Sequence, residues 1–247
     1  MQLEGDTGMK AEKLLPIDAW MLSKLQTLIQ RATESFDIYE YSKARQDVDA
    51  FFWHAFCDNY LEIIKDRVYN KDTYTKAEVL SAQYTLYHSS LTLLKLFAPL
   101  LPHITEEVYH FFYAAIEKIP SIHRSSWPEC NPALVNQKAE RAGDLLVAII
   151  AAVRRYKSEQ QVSLKAGIRS LSIAGSAEQK KLLQELERDL KAVTHAQNVI
   201  FVKPDSLALT TQDKKESLDA AHGKEFIILD DYKLHIKIEL NPEEKVE

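Results

Sequence analysis

At 247 residues, 46% of them hydrophobic, the chain is long enough for one large or two small cores and is not disordered by composition. Its 31 basic and 36 acidic residues give a formal net charge of −5, so any nucleic-acid surface has to be a local patch. Six glycines disfavour turn-rich all-β and dinucleotide folds, and the two cysteines, Cys57 and Cys130, form no C-x-x-C.

Residues 1–14 are polar and glycine-bearing and read as a disordered or linker segment. Over 17–34, Leu22, Leu25, Leu28, Ile29 and Ala32 fall on one helical face, with Asp18 as the residue that opens the helix. A second helix, from Tyr41 to Arg67, is apolar almost all the way round between Phe51 and Cys57. That predicts enclosure by other helices, with Cys57 as a packing thiol. Thr75 can cap a third helix over 76–97, striped by Leu80, Tyr84, Tyr87, Leu91 and Leu94, before Pro99 and Pro102 turn the chain. A fourth over 103–117 is expected to bury Ile104, Val108, Phe111, Phe112 and Ala115. A fifth over 136–158 is expected to bury Leu145, Leu146, Ile149, Ile150 and Val153.

Past Val162 the periodicity changes. Ile168, Leu171 and Ile173 suggest a strand stopped by Gly175, 178–193 a helix, and 199–202 a second strand stopped by Pro204. Residues 226–229 and 233–240 read as a hairpin with Leu234, Ile236 and Ile238 inward. The fold expectation is mainly α: an antiparallel helix bundle over 15–162 with a small C-terminal α+β appendage over 163–247.

Self-contained chemistry is not apparent. Glu107 and His110 form an E-x-x-H, but no other histidine has a glutamate three positions before it, so a two-metal bundle site lacks its other half. Nucleotide-binding glycine fingerprints and the G-x-S-x-G of a nucleophile elbow are absent. No run approaches the ~18–20 apolar residues of a membrane span, and no signal-peptide pattern opens the chain, so the expectation is a cytoplasmic protein without a membrane partner. The feature that does stand out is basic: Arg141, Arg154, Arg155, Lys157, Lys165 and Arg169 against Asp144 and Glu159, with Tyr156 among them. Cations beside an aromatic suit RNA, and equally suit the negative end of a helix. Arg31, Lys43, Arg45, Lys65, Arg67 and Lys71 make a weaker second group.

Three phrases then add up. FFWHAFCDNYLEIIK (51–65), LLKLFAPLLPHITEEVY (93–109) and SIHRSSWPE (121–129) resemble, in order and spacing, the helical anticodon-binding domain of class I aminoacyl-tRNA synthetases for valine, isoleucine and leucine. VRRYKSEQQVSLKAGI (153–168) is most similar to the valine member, with the isoleucine and leucine enzymes as the alternatives. The synthetase phrases H-I-G-H and K-M-S-K-S are absent. The resemblance therefore implies a piece that is inactive alone, with no cofactor of its own. ATP and Mg would serve a catalytic domain of the parent polypeptide, and that domain and the tRNA anticodon stem-loop would be its partners.

In that setting Arg154, Arg155, Lys157 and Lys165 are expected to take phosphates, Tyr156 and Trp20 to stack bases, and Arg45 to contribute from the second group. Trp20 reads equally well as a packing residue of the bundle. The rival from another class is a free-standing helical scaffold with no RNA role.

Overall fold

The structure is a computed structural model and describes residues 14–202 and 226–241. The expectation of a disordered or linker segment over residues 1–14 falls almost entirely outside the described residues. The chain divides into two compact units, Met1–Glu140 and Arg141–Glu247.

In the first unit, Pro16 sits in the opening turn of α1 (Pro16–Asp37), where its missing N–H is harmless, and Ile17, Met21, Leu25 and Ile29 form its buried stripe. Next, α2 (Tyr41–Ala50) runs through a π-helical stretch, Phe51–Leu61, into α3 (Glu62–Tyr69). Thr75 opens α4 (Lys76–Phe97) with a full capping box, its side chain on the Glu78 N–H and the Glu78 carboxylate on the Thr75 N–H. After the proline corner come α5 (Pro102–Phe112) and the single-turn α6 (Ala114–Glu117).

Asp18 does more than open a helix. It is fully buried and accepts from the Tyr60 hydroxyl at 2.8 Å, from both arms of Arg67 at 2.9 and 3.1 Å, and from the Ser81 hydroxyl at 2.5 Å. One carboxylate thus joins α1, the π-helical stretch, α3 and α4. Burial, and then the Asp18 charge, push the Tyr60 hydroxyl well above its ordinary pKa.

Two packing expectations are overturned. The π-helical stretch is not enclosed: Phe56 and Tyr60 are buried, but Trp53 is 58% exposed and His54 lies in solvent. Five-residue hydrogen bonding widens the helix and turns successive residues by a smaller angle, so the 3.6-residue stripe does not hold there. On α5, Thr105 and Tyr109 face inward, and Ile104, Phe111 and Phe112 are exposed. Tyr109 and Tyr113, one turn apart, stack on each other in a cluster with Leu91, Ala98 and Ile122.

α7 (Gln137–Glu159), which belongs to the second unit from Arg141 on, buries Leu145, Leu146, Ile149, Ile150 and Val153 as its periodicity predicts. The order continues with β1 (Ile168–Ala174), α8 (Ala177–Gln184), α9 (Glu187–Thr194), β2 (Ala196–Val202), β3 (Phe226–Leu229) and β4 (Leu234–Leu240). The expected single helix over 178–193 is two, because Leu186 leaves helical geometry between them. The sheet order is β2-β1-β4-β3, parallel for β1–β2 and antiparallel elsewhere, with Leu171 paired to Val199 and to Ile238. Leu234, Ile236 and Ile238 alternate inward along β4. Gly175 fits where β1 ends because a Cβ there would run into Leu234 Cδ2, inside the core.

Candidate nucleic-acid interface

The basic stretch at the end of α7 is split by the helix itself. Ile149, Ile150 and Val153 face the core, and one heptad beyond the first two come Tyr156 and Lys157, both buried. Lys157 is 1% exposed, and its Nζ donates to the carbonyls of Leu164 at 3.0 Å, Ala166 at 2.6 Å and Thr194 at 3.0 Å. An ammonium has three donors, and all three are occupied by backbone. Lys157 therefore takes no phosphate and Tyr156 stacks no base, a correction to both expectations. What Lys157 does is tie the loop after α7 to the end of α9, while Lys165 on that loop and Arg169 on β1 are exposed. Arg155 is exposed and Arg154 half-buried, so the accessible cations of the stretch are Arg155, Lys165 and Arg169, with Arg141 near Glu178 at 3.3 Å.

In the first unit, Trp20 is buried among the α1 core residues, so its packing reading is the observed one and base stacking is excluded. Arg67 is withdrawn in the same way by Asp18. Arg45 is exposed but lies 3.3 Å from Asp49, while Arg31 pairs with Asp47 at 2.7 Å and Lys43 with Glu40 at 3.5 Å.

A different surface emerges at the end of α1. The helix closes with the Tyr39 N–H on the Phe36 carbonyl and the Glu40 N–H on the Ser35 carbonyl, which sets Tyr39 at φ 63°. Glycine is the usual residue in that left-handed position, yet here an aromatic occupies it and stands 78% exposed. Tyr39 meets Tyr41 edge-on at 6.2 Å, Tyr41 meets Phe36 at 5.4 Å, and Phe36 meets Trp127 edge-on at 5.0 Å. The Trp127 Nε1–H donates to Thr33 Oγ1 at 2.8 Å and fixes the indole. Phe36, Tyr41 and Trp127 of this row wall an open groove of about 570 Å³ with Thr33, Asp37, Pro99 and Leu100. Arg124, three residues before Trp127 in the chain, is exposed. Aromatic faces accept any base, and Asp37 offers an acceptor for a base edge. None of Tyr39, Tyr41 and Trp127 is among the residues singled out from the sequence for RNA contact. The available signal was a Y-x-Y directly after a helix end that has no glycine.

A second cleft of about 280 Å³, between α1 and α4, is lined by Gln26, Tyr84, His88, Lys95, Glu117 and Glu129. His88 lies against the Tyr84 ring at 4.1 Å, and burial holds its pKa below the ordinary value. With two carboxylates to one lysine, this cleft suits RNA less than the aromatic row does. Among the described residues no three His, Cys, Asp or Glu side chains group to hold a metal. Glu106 is instead engaged by Ser121 Oγ, the Ile122 N–H and His110 Nε2, each at 3.0 Å.

The helical unit carrying the aromatic row is thus followed in the chain by a small α+β unit. The chain belongs to the family of anticodon-binding domains of tRNA ligases, whose profile matches residues 18–172. It is 41% identical over 191 residues to the valine–tRNA ligase of Ehrlichia ruminantium (strain Gardel), a match covering 77% of this chain and 23% of that protein. It is 36% identical over 200 residues to the valine–tRNA ligase of Wolbachia pipientis wMel, covering 81% and 22% respectively. Against that of Rickettsia felis it is 40% identical over 186 residues, covering 74% and 20%. The chain thus spans less than a quarter of the length of these relatives. No helix among the described residues is long and apolar enough to cross a membrane.

Proposed function

We propose that this chain is the tRNA-anticodon-binding part of a valine–tRNA ligase, working in the cytoplasm, and that it grips the anticodon stem-loop while the rest of a longer polypeptide attaches valine. The amino acid is taken from the relatives, which are valine–tRNA ligases at 36% to 41% identity. The stem-loop assignment is carried by one observation: Tyr39, Tyr41, Phe36 and Trp127 form a continuous row of ring contacts at the end of α1, with Tyr39 and Tyr41 exposed. Anticodon bases are unpaired and can be splayed onto such a surface. ATP and Mg belong, in this reading, to the portion of the ligase beyond the matched segment.

The test is a filter-binding titration of the 247-residue chain with a tRNA transcript carrying a valine anticodon and with the same transcript carrying a foreign anticodon. Binding is expected to favour the first. Tyr39→Ala and Tyr41→Ala are each expected to weaken it by ~1–3 kcal/mol, the worth of one base–aromatic stack. Equal binding of both transcripts, unchanged by either substitution, would overturn anticodon readout by this row, and no binding of either would return the chain to the reading of a helical scaffold without an RNA role.

A further inference from the structure

α5 carries two apolar faces and uses one. Thr105 and Tyr109, continued by Tyr113, are buried against the α4 cluster. The other face runs Leu101, Ile104, Val108, Phe111, Phe112 and Ala115, at spacings that keep these residues on the outward side of the helix and of α6. Phe111 and Phe112 are 73% and 63% exposed, and their rings touch at 6.3 Å. Leu101 opens this face one turn after Phe97, its N–H on the Phe97 carbonyl. Contiguous exposed apolar surface of this kind marks an interaction site and not ordinary scatter.

The composition of the face says what it takes. Residues 102–117 contain no lysine or arginine, and their charges are Glu106, Glu107 and Glu117. RNA phosphates and anionic lipid headgroups both call for cations at their contact surface. An apolar stripe free of them fits another protein surface. The matched segment is only 23% of the Ehrlichia relative, so most of that polypeptide lies outside it. Covalent linkage presents such a neighbour at millimolar effective concentration.

We infer that the outward face of α5 is the seat of the remaining body of the longer ligase polypeptide, through an apolar patch that also offers a cation or hydrogen-bond donor to Glu107. This rests on the reading under Proposed function that the chain works within such a polypeptide. It fixes which side of the first unit is turned to protein, a different side chain set from the aromatic row assigned to RNA.

The experiment compares thiol labelling of Phe111→Cys in two settings: the isolated 247-residue chain, and a hybrid in which this chain replaces the matched segment of the Ehrlichia ruminantium ligase. Modification by a maleimide is followed site by site by peptide mass spectrometry, with Lys71→Cys on an exposed turn as the reference thiol. Position 111 is expected to react freely in the isolated chain and about tenfold or more slowly in the hybrid, since an interface withholds a thiol except during opening. Position 71 should react alike in both.

Equal rates at 111 in a hybrid that still attaches valine to tRNA would overturn the docking and leave the functional reading standing. Equal rates in a hybrid that attaches none would sink both. Protection at 111 already present in the isolated chain, and rising with its concentration, would assign the face to a second copy and overturn the inference.

Discussion

Lys157 illustrates how a charge on paper differs from a charge in place. By composition it belongs to a positive run, and by helical phase it belongs to the core stripe one heptad after Ile150. The phase wins because three backbone carbonyls replace its hydration. Lys157→Met would keep the packing stem and strand those acceptors, and a bond to a charged group is worth roughly 1.5–3 kcal/mol net. The expected loss is about 3 kcal/mol in urea unfolding monitored in the second unit. A change below ~1 kcal/mol would mean the carbonyls find other donors. Asp18 makes the same point. Its place at a helix start was legible, but the convergence of Tyr60, Arg67 and Ser81 on it depends on chain crossings 42 to 63 residues apart. No local pattern encodes that.

At the level of elements, most helices and strands were legible because stripes of 3.6 and 2 residues survive wherever one face meets one core. The failures are physical. The stretch Phe51–Leu61 adopts π geometry, which breaks the stripe. For α5, two apolar faces compete, and the one carrying the tyrosines is the one buried. Its orientation is fixed by Glu106, which reaches back to Ser121 and the Ile122 N–H at 3.0 Å and so pins the SIHRSSWPE loop that carries Trp127. Desolvation works to raise the Glu106 carboxyl, but the bonds from Ser121, Ile122 and His110 outweigh it and hold the pKa below its usual value. A depressed carboxyl stabilises above its unfolded value, ~4.3, and loses that contribution as pH falls through the lower folded value. Ile122 amide protection in hydrogen exchange should accordingly persist at that pH and weaken only on further acidification. Glu106→Ala should speed exchange at Ile122 about tenfold at neutral pH and leave the Tyr109 amide unchanged. Unaltered exchange at Ile122 would remove Glu106 as the loop's anchor.

For the molecule as a whole, a net charge of −5 means that RNA affinity has to come from a few accessible cations and from stacking. With Lys157 committed to the fold, those in the second unit are Arg155, Lys165 and Arg169. Replacing all three by Ala is expected to lower the slope of log K against log salt by about 2, at ~0.7 per single-stranded phosphate released. An unchanged slope in the same titration would leave readout to the aromatic row alone. That row sits on a backbone compromise with a consequence of its own. Left-handed geometry is unfavourable for an L-residue by ~1–2 kcal/mol and free for glycine, whose larger unfolded-state entropy takes back part of the difference. Tyr39→Gly should therefore make the domain hold or gain thermal resistance while its tRNA slips. A variant library screened on heat tolerance alone would tend to discard the very side chain that the proposed function assigns to base stacking.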